Sequence, residues 1–192
     1  MRIVWCVLCA VMTLALSGMT YASAPGEWGK TKFGTRIGAK AGFLAGSMRS
    51  EDSTVEFDLQ HDIGFFFDIK TIGGVLLSPG MDMLGLQTDY PRVDEKTNMI
   101  HPHVFLKYHI VSKRPHFAFR PGIGVGHGMM SGLGQLNDSE YWTFSVFVET
   151  VIYTKGQSGI LLEINHMTTS GGDRSFDLQS DGIWIFRTGF LF

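Results

Sequence analysis

The sequence predicts an all-β fold, an eight-stranded antiparallel transmembrane β-barrel with up-and-down connectivity. Three observations predict it: stretches in which apolar residues alternate with polar or small ones, formal charges confined to one face of those stretches, and connections that alternate between short and long. Residues two apart in a strand point to the same side, so alternation defines two faces. In a membrane barrel the apolar face turns outward to lipid and the polar face turns inward.

The chain begins with a predicted secretory signal peptide of 22 residues. Arg2 precedes an apolar run over 3–16, and small residues follow that run. Such a run is too short to cross a bilayer comfortably as a helix. We prefer cleavage after Ala22 to cleavage after Ala24, because Pro25 would follow the second position.

The remaining residues, 23–192, are predicted to form one barrel domain. Both cysteines lie in the predicted signal, so the barrel has no disulfide framework. No later apolar run approaches the roughly 20 residues of a membrane-spanning helix. The net charge of −2 and the lack of a basic cluster argue against a nucleic-acid partner, and no motif indicates a cofactor.

The first two predicted strands, 32–43 and 54–69, place charges of opposite sign on the same face. The first carries cations and the second carries anions at alternate positions. Unlike charges on neighbouring strands stabilise the pair and neutralise one another in a narrow interior. His61 breaks the pattern, because its parity places it on the outward face.

The third predicted strand, 75–87, is the least regular of the eight. Pro79 cannot donate a ladder hydrogen bond, so we expect a bulge or a kink there. In the fifth strand, 116–128, alternate glycines face inward. Glycines at such positions either let a strand bend or leave interior room for bulky neighbours.

The fourth predicted strand, 99–111, places His101 and His103 on its inward face, two residues apart. Two such histidines could bind a metal ion together with a third ligand. We interpret them instead as lumen side chains that hydrogen-bond interior carboxylates, and we predict no metal site.

The segments 141–153, 159–167 and 182–192 complete the eight predicted strands. Connections after the even-numbered strands are short, and those after the odd-numbered strands are longer and polar. Short periplasmic turns and longer extracellular loops are the pattern of bacterial membrane barrels. An even number of strands then places both ends of the series on the periplasmic side.

Formal charges concentrate on the inward face of the predicted strands. They are Lys32, Arg36, Lys40, Glu56, Asp58, Asp62, Asp68, Asp82, Lys107, Arg120, Glu149, Glu163 and Arg187. The interior of an eight-stranded barrel is wide enough only for side chains. We therefore predict that these residues form ion pairs that fill the lumen, which argues against a general diffusion pore.

Aromatic residues mark the outward face near both ends of the strands. Trp142 and Trp184 begin their strands at the loop end, and Tyr108 lies near the turn end of its strand. Amphipathic rings favour the headgroup zone, so these residues predict aromatic girdles at the two membrane interfaces.

On these patterns the chain resembles the small eight-stranded bacterial outer-membrane barrels, the OmpA- and OmpX-type folds, over residues 23–192. The alternating aromatic ending also resembles their insertion signal, carried here by Phe186, Phe190 and Phe192. The resemblance implies a place in the bacterial outer membrane, contact with outer-membrane lipid and lipopolysaccharide, and insertion by the barrel-assembly machinery. We expect a monomer with a structural or interaction role, exerted through the outer loops.

The end of the seventh strand suggests an alternative function. Residues 165–172, NHMTTSGG, resemble the outer-membrane lipid A deacylases, eight-stranded barrels that carry His and Ser two apart at this point and an acidic partner on the next strand. The resemblance implies a lipid A ester hydrolase in which His166 is the base, Thr168 the nucleophile and Asp181 the acidic partner. Thr168 replaces the serine of that family, and parity points Asp181 inward.

Overall fold

The computed structural model describes residues 35–50, 53–71, 74–87, 96–111, 117–131, 140–153, 158–170 and 179–192. The predicted signal peptide and Lys32 lie outside these ranges, as do most residues between the strands. No helix in the described ranges is both long and apolar enough to cross a membrane.

Eight antiparallel strands form one closed sheet. They are β1 (Thr35–Ser50), β2 (Ser53–Lys70), β3 (Val75–Gln87), β4 (Lys96–Tyr108, continued after His109 by Ile110–Val111), β5 (Phe117–Ser131), β6 (Glu140–Tyr153), β7 (Gly159–Ser170) and β8 (Gln179–Leu191). Each strand pairs with its neighbours in sequence, and β1 also pairs with β8, which closes the sheet into an up-and-down barrel. The predicted all-β fold, an eight-stranded antiparallel barrel with up-and-down connectivity, is confirmed.

Pro79 lies in the middle of β3 without shifting its register. The pairs Phe66–Gly80 and Ile69–Leu77, on either side of it, follow one register with β2. On its other side β3 pairs with β4 continuously through the proline. The expected bulge is therefore wrong. Pro79 removes one backbone donor, but the residue pairs on either side of it keep β3 in register with both β2 and β4.

Several strands run further towards the loop ends than the sequence predicts. β1 reaches Ser50 and β7 reaches Ser170, whereas the alternating patterns end at residues 43 and 167. The apolar pattern ends first because backbone pairing between strands does not require apolar side chains, so the pairing continues beyond it. Thr168 therefore lies within β7, where the sequence predicts the start of a loop.

The two faces of the sheet differ in chemistry. All eight strands expose large apolar side chains on the outside, and Phe65, Val125 and Phe190 are each more than half exposed. Inward side chains are buried even where they are charged, as are Asp82 and Arg120. An apolar exterior that runs around the whole barrel suits lipid rather than water.

Apolar side chains gather towards both ends of the lumen. The outer apolar cluster, near the loop ends, consists of Leu44, Leu84, Met99, Tyr141, Met167, Ile183 and Ile185. The inner apolar cluster, which extends from the middle of the lumen to the turn ends, consists of Phe66, Ala118, Val151, Tyr153, Leu161 and Leu191. Along β4 the inward residues from the loop end are Met99, His101, His103, Phe105 and Lys107, all buried, so one strand passes through apolar, polar, aromatic and charged layers.

The inward glycines of β5 make room for large side chains from the neighbouring strands. A side-chain carbon at Gly122 would overlap the ring of Phe147, and one at Gly124 would overlap the ring of Phe105. Of the two roles expected for this glycine row, the structure bears out the second, interior space for bulky neighbours.

Candidate functional site

The candidate site is the interior of the barrel, where ten charged side chains in the described part of the chain are buried. They are Arg36, Lys40, Asp62, Asp68, Asp82, Lys107, Arg120, Glu149, Glu163 and Arg187. Each lies on the inward face that the alternating pattern assigned to it. The remaining predicted lumen residues, Lys32 and the side chains of Glu56 and Asp58, fall outside the described part of the structure.

Arg187 organises the half of the lumen nearer the loops. Its Nη2 donates to Asp82 Oδ2 at 2.6 Å and its Nη1 donates to Glu163 Oε1 at 2.6 Å. Its Nε also donates to Asp62 Oδ2. Lys40 Nζ lies 3.6 Å from Asp82 Oδ1 and 3.5 Å from Glu163 Oε2. We name these five residues the outer ionic cluster.

A second network fills the half nearer the turns. Arg120 Nη1 lies 2.8 Å from Asp68 Oδ2 and 2.7 Å from Glu149 Oε1. Lys107 Nζ binds the other oxygens of the same two carboxylates, at 3.0 Å and 2.8 Å. Each carboxylate thus bridges one arginine and one lysine. We name these four residues the inner ionic cluster.

The other guanidinium nitrogens of Arg120, in the inner ionic cluster, also have hydrogen-bond partners. Arg120 Nη2 donates to the hydroxyl of Tyr153 at 2.7 Å, and its Nε donates to His109 Nδ1 at 2.9 Å. Arg36 stacks over the Tyr153 ring, with its guanidinium carbon 5.3 Å from the ring centroid. A buried charge is costly unless it is paired and hydrogen-bonded, and Arg120 meets both conditions.

Aromatic rings separate the two ionic clusters. Lys107 Nζ lies 4.3 Å from the centroid of Phe66, and Lys40 Nζ lies 5.6 Å from that same centroid. Phe105 packs against Phe147 with their centroids 4.6 Å apart. Because these rings fill the lumen between the ion pairs, the interior is closed by side chains at more than one level.

Phe66 and Tyr153 also belong to the lumen, although neither is among the lumen residues predicted from the sequence. Strand parity carries the signal for each of them: Phe66 is two residues from Asp68, and Tyr153 is four residues from Glu149. Both therefore share the inward face with a carboxylate. In the run Phe65–Phe66–Phe67 the first and last rings share the outward apolar face, so the inward position of Phe66 is easily overlooked.

Two residues of the hydrolase alternative, His166 and Thr168, lie on the outward face near the loop end of β7. The Thr168 hydroxyl donates to the backbone carbonyl of Phe144 at 3.4 Å. The His166 ring packs edge-on against Trp184, with centroids 4.6 Å apart. Within the described part of the chain no hydrogen bond joins His166 to Thr168, and the side chain of Asp181 falls outside it.

The aromatic residues singled out in the sequence point outward. Trp142 and Trp184 are exposed near the loop ends of their strands, and Tyr108 is exposed near the turn end of β4. At the end of the chain Phe190 and Phe192 are also exposed.

The last residues are held to the first strand as well. The backbone N–H of Phe192 donates to the carbonyl of Ile37 on β1 at 2.8 Å. Phe186, another residue of the predicted insertion signal, stacks on Phe43 of β1 with ring centroids 5.3 Å apart. The final segment therefore takes part in closing the barrel.

Comparison with known proteins gives a likeness in structure. No protein-family model and no curated protein sequence matches the chain. The crystal structure of Neisserial surface protein A (NspA) superposes with a TM-score of 0.64 at 9% sequence identity, covering 82% of this chain and 95% of that chain. The chain has the fold of the small outer-membrane barrels.

A second small outer-membrane barrel is also similar. The crystal structure of Ail, the attachment invasion locus protein of Yersinia pestis, gives a TM-score of 0.46 at 11% identity, covering 82% of this chain and 98% of that chain. Because one fold hosts many functions, this likeness shows the fold of the chain and leaves its role to its own residues.

Proposed function

We propose that the chain is an integral protein of the bacterial outer membrane whose lumen is closed by its own side chains. Its role is structural or interaction-based and is exerted through the outer loops. One observation carries the proposal: among the described residues, five cations and five anions are buried inside the barrel, while all eight strands expose large apolar side chains outward.

Contact with lipid accounts for the exterior of the barrel. Contiguous apolar patches on soluble monomers rarely exceed a few hundred Å², whereas here half-exposed apolar residues follow one another around the sheet. The rings of Trp142, Trp184 and Tyr108 carry polar atoms and lie near the strand ends, which suits the two membrane interfaces. The outer-membrane lipids, including lipopolysaccharide, are thus the proposed surroundings.

The filled lumen argues against transport of solutes. A continuous water path would have to break the contacts of Arg187 with three carboxylates and displace the rings of Phe105 and Phe147. Separating a buried ion pair is strongly unfavourable. The parts of the chain left to meet partners are the long connections at the loop end, which lie outside the described residues.

The test combines location with conductance. Inner and outer membranes are separated on a density gradient, and the folded barrel is detected as a band whose gel mobility changes on boiling. The same protein, purified and inserted into planar bilayers beside a porin as positive control, is expected to carry no steady current. Recovery in the soluble fraction would refute the membrane assignment, and a large stable conductance would refute the closed lumen.

The lipid A ester hydrolase is the alternative function. It is favoured by the outward placement of His166 and Thr168 near the loop end of β7, where the outer leaflet would lie. A hydroxyl activated by a neighbouring imidazole base is sound chemistry, but here the hydroxyl of Thr168 is engaged with the Phe144 carbonyl. Mass spectrometry of lipid A from cells with and without the protein separates the two functions, because only the hydrolase removes an acyl chain.

A further inference from the structure

Two neighbouring strands bring three metal-ligating side chains together inside the lumen. Asp82 on β3 is the register partner of His101 on β4, and His103 lies two residues further along the same inward face. All three side chains are buried. One ligand atom from each lies within 4.8 Å of the other two.

The separations between Asp82 and the two imidazoles are longer than hydrogen bonds and close to those of ligands around one ion. Asp82 Oδ2, which also accepts the hydrogen bond from Arg187 Nη2, lies 3.8 Å from His101 Nδ1 and 3.5 Å from His103 Nδ1. His103 Nδ1 in turn lies 3.3 Å from the carbonyl oxygen of His101. Hydrogen bonds from nitrogen to oxygen span about 2.7–3.2 Å. Two ligands bound at about 2.1 Å to a tetrahedral ion are about 3.4 Å apart, which is close to both observed separations.

Neighbouring groups hold the three ligands in place. His101 Nε2 lies 2.6 Å from the Thr143 hydroxyl oxygen, which leaves Nδ1 on the side of Asp82. His103 stacks on Phe105 with centroids 4.0 Å apart, and its ring occupies the space beside Gly80, where a side-chain carbon would overlap it. A hydrogen bond to the second ring nitrogen of a ligating histidine is a recurrent feature of metal sites.

One of the proposed ligand atoms, His101 Nδ1, has no hydrogen-bond partner within the described structure. Buried polar atoms are almost always satisfied, and each exception needs a physical reason. A cation between the imidazoles and the carboxylate supplies that reason for His101 Nδ1, which faces Asp82 at a distance too long for a good hydrogen bond.

The surrounding charge favours a cation. The outer ionic cluster holds three carboxylates, Asp62, Asp82 and Glu163, against two cations, Lys40 and Arg187. One negative charge is therefore in excess beside the two imidazoles. Imidazole nitrogen together with carboxylate oxygen suits Zn²⁺ and its neighbours in the first transition series, whereas Mg²⁺ and Ca²⁺ prefer oxygen alone.

We infer that Asp82, His101 and His103 bind a divalent transition-metal ion, with Zn²⁺ the natural occupant. The ion links β3 to β4 inside the barrel. Thr143 orients the His101 ring, and Arg187 orients the Asp82 carboxylate. The interpretation of the two histidines as ordinary hydrogen-bonded lumen residues is thereby replaced. Because Leu84 and Met99 of the outer apolar cluster are fully buried near the loop ends, the ion enters while the barrel folds.

The test uses the untagged mature chain, refolded from denaturant into detergent micelles with either Zn²⁺ or Co²⁺ present. After gel filtration, the folded fraction is expected to retain about one metal ion per chain, and Co²⁺ is expected to show visible absorption typical of a low-coordinate site. The variants His101→Gln and His103→Gln are expected to retain at least tenfold less metal. His61→Gln, on the outward face, is the matched control and keeps the wild-type content.

Metal content and X-ray absorption each have an outcome that refutes the site. The site is refuted if the wild type retains no metal, or if folded His101→Gln and His103→Gln each retain as much metal as the wild type. If the variants do not fold, X-ray absorption of the zinc-loaded wild type decides alone: a shell with two imidazoles supports the site, and a shell without imidazole overturns it.

Discussion

Arg187 on β8 donates a hydrogen bond to Asp82 on β3 across the interior of the barrel, with Nη2 and Oδ2 separated by 2.6 Å. Two strands, β1 and β2, lie between β8 and β3 in the sheet, so this contact crosses the lumen. The same guanidinium also reaches Asp62 on β2 and Glu163 on β7. One side chain therefore connects three other strands.

Replacing Arg187 by leucine is expected to lower the free energy of unfolding by about 3–5 kcal/mol, because three buried carboxylates lose their main partner. Urea unfolding in detergent or lipid vesicles measures the change. Thr188→Val, on the neighbouring outward position, is the control and is expected to change stability little. Equal stability of Arg187→Leu and the wild type would mean that the outer ionic cluster is not formed.

The Phe105 ring occupies the space that a side chain at Gly124 would need, and one substitution tests this packing. Gly124→Ala places a methyl group where the Phe105 ring lies, so we expect a loss of about 1–3 kcal/mol from overpacking. Adding Phe105→Leu removes the clash, and the double variant is expected to recover part of that loss. If Gly124→Ala costs the same with either residue at 105, the two side chains do not meet.

The division into faces could be predicted from sequence because strand parity is local. The inward positions of Lys40, Asp62 and Arg187 depend only on alternation along each strand. The pairing among them is not local. Arg187 meets Asp82 only because three strand registers, of β8 with β1, of β1 with β2 and of β2 with β3, place the two residues at a similar height in the barrel. The sequence of a single strand does not specify these registers.

Pairing between strands also accounts for two differences from the sequence prediction. Pro79 alone predicts a disturbance of β3 because it lacks a donor, but the pairs on either side of it decide the register. The end of the apolar alternation near residue 167 predicts that Thr168 lies in a loop, but backbone pairing of β7 with β6 continues to Ser170. In both cases pairing between strands outweighs the local pattern.

The end of the chain is the third test. Phe192→Ala keeps the backbone N–H that donates to the Ile37 carbonyl but removes the outward ring. If the ring belongs to the insertion signal, the folded, heat-modifiable band in outer-membrane fractions falls severalfold, whereas Phe192→Tyr retains it. Refolding of purified Phe192→Ala into detergent should remain near normal, because the defect lies in recognition during assembly. Normal assembly of Phe192→Ala in cells would contradict the signal.

The adjacent residues Glu163 and Ile164 test the orientation of the whole sheet. Glu163 is buried and accepts a hydrogen bond from Arg187, whereas Ile164 is about half exposed on the outside of the same strand. Glu163→Leu should cost about 3–5 kcal/mol because Arg187 and Lys40 lose a carboxylate. Ile164→Lys should cost about 2–4 kcal/mol because it sets a charge against lipid near the middle of the membrane. The conservative change Ile164→Leu should cost less than about 1.5 kcal/mol. Unfolding of the three variants in lipid vesicles measures all of these differences. In a soluble sheet with its charges in water, Glu163→Leu would be tolerated. Only Ile164→Lys would then destabilise strongly, because it would place a charge in an apolar core. Tolerance of Glu163→Leu would therefore contradict the inward orientation of Glu163.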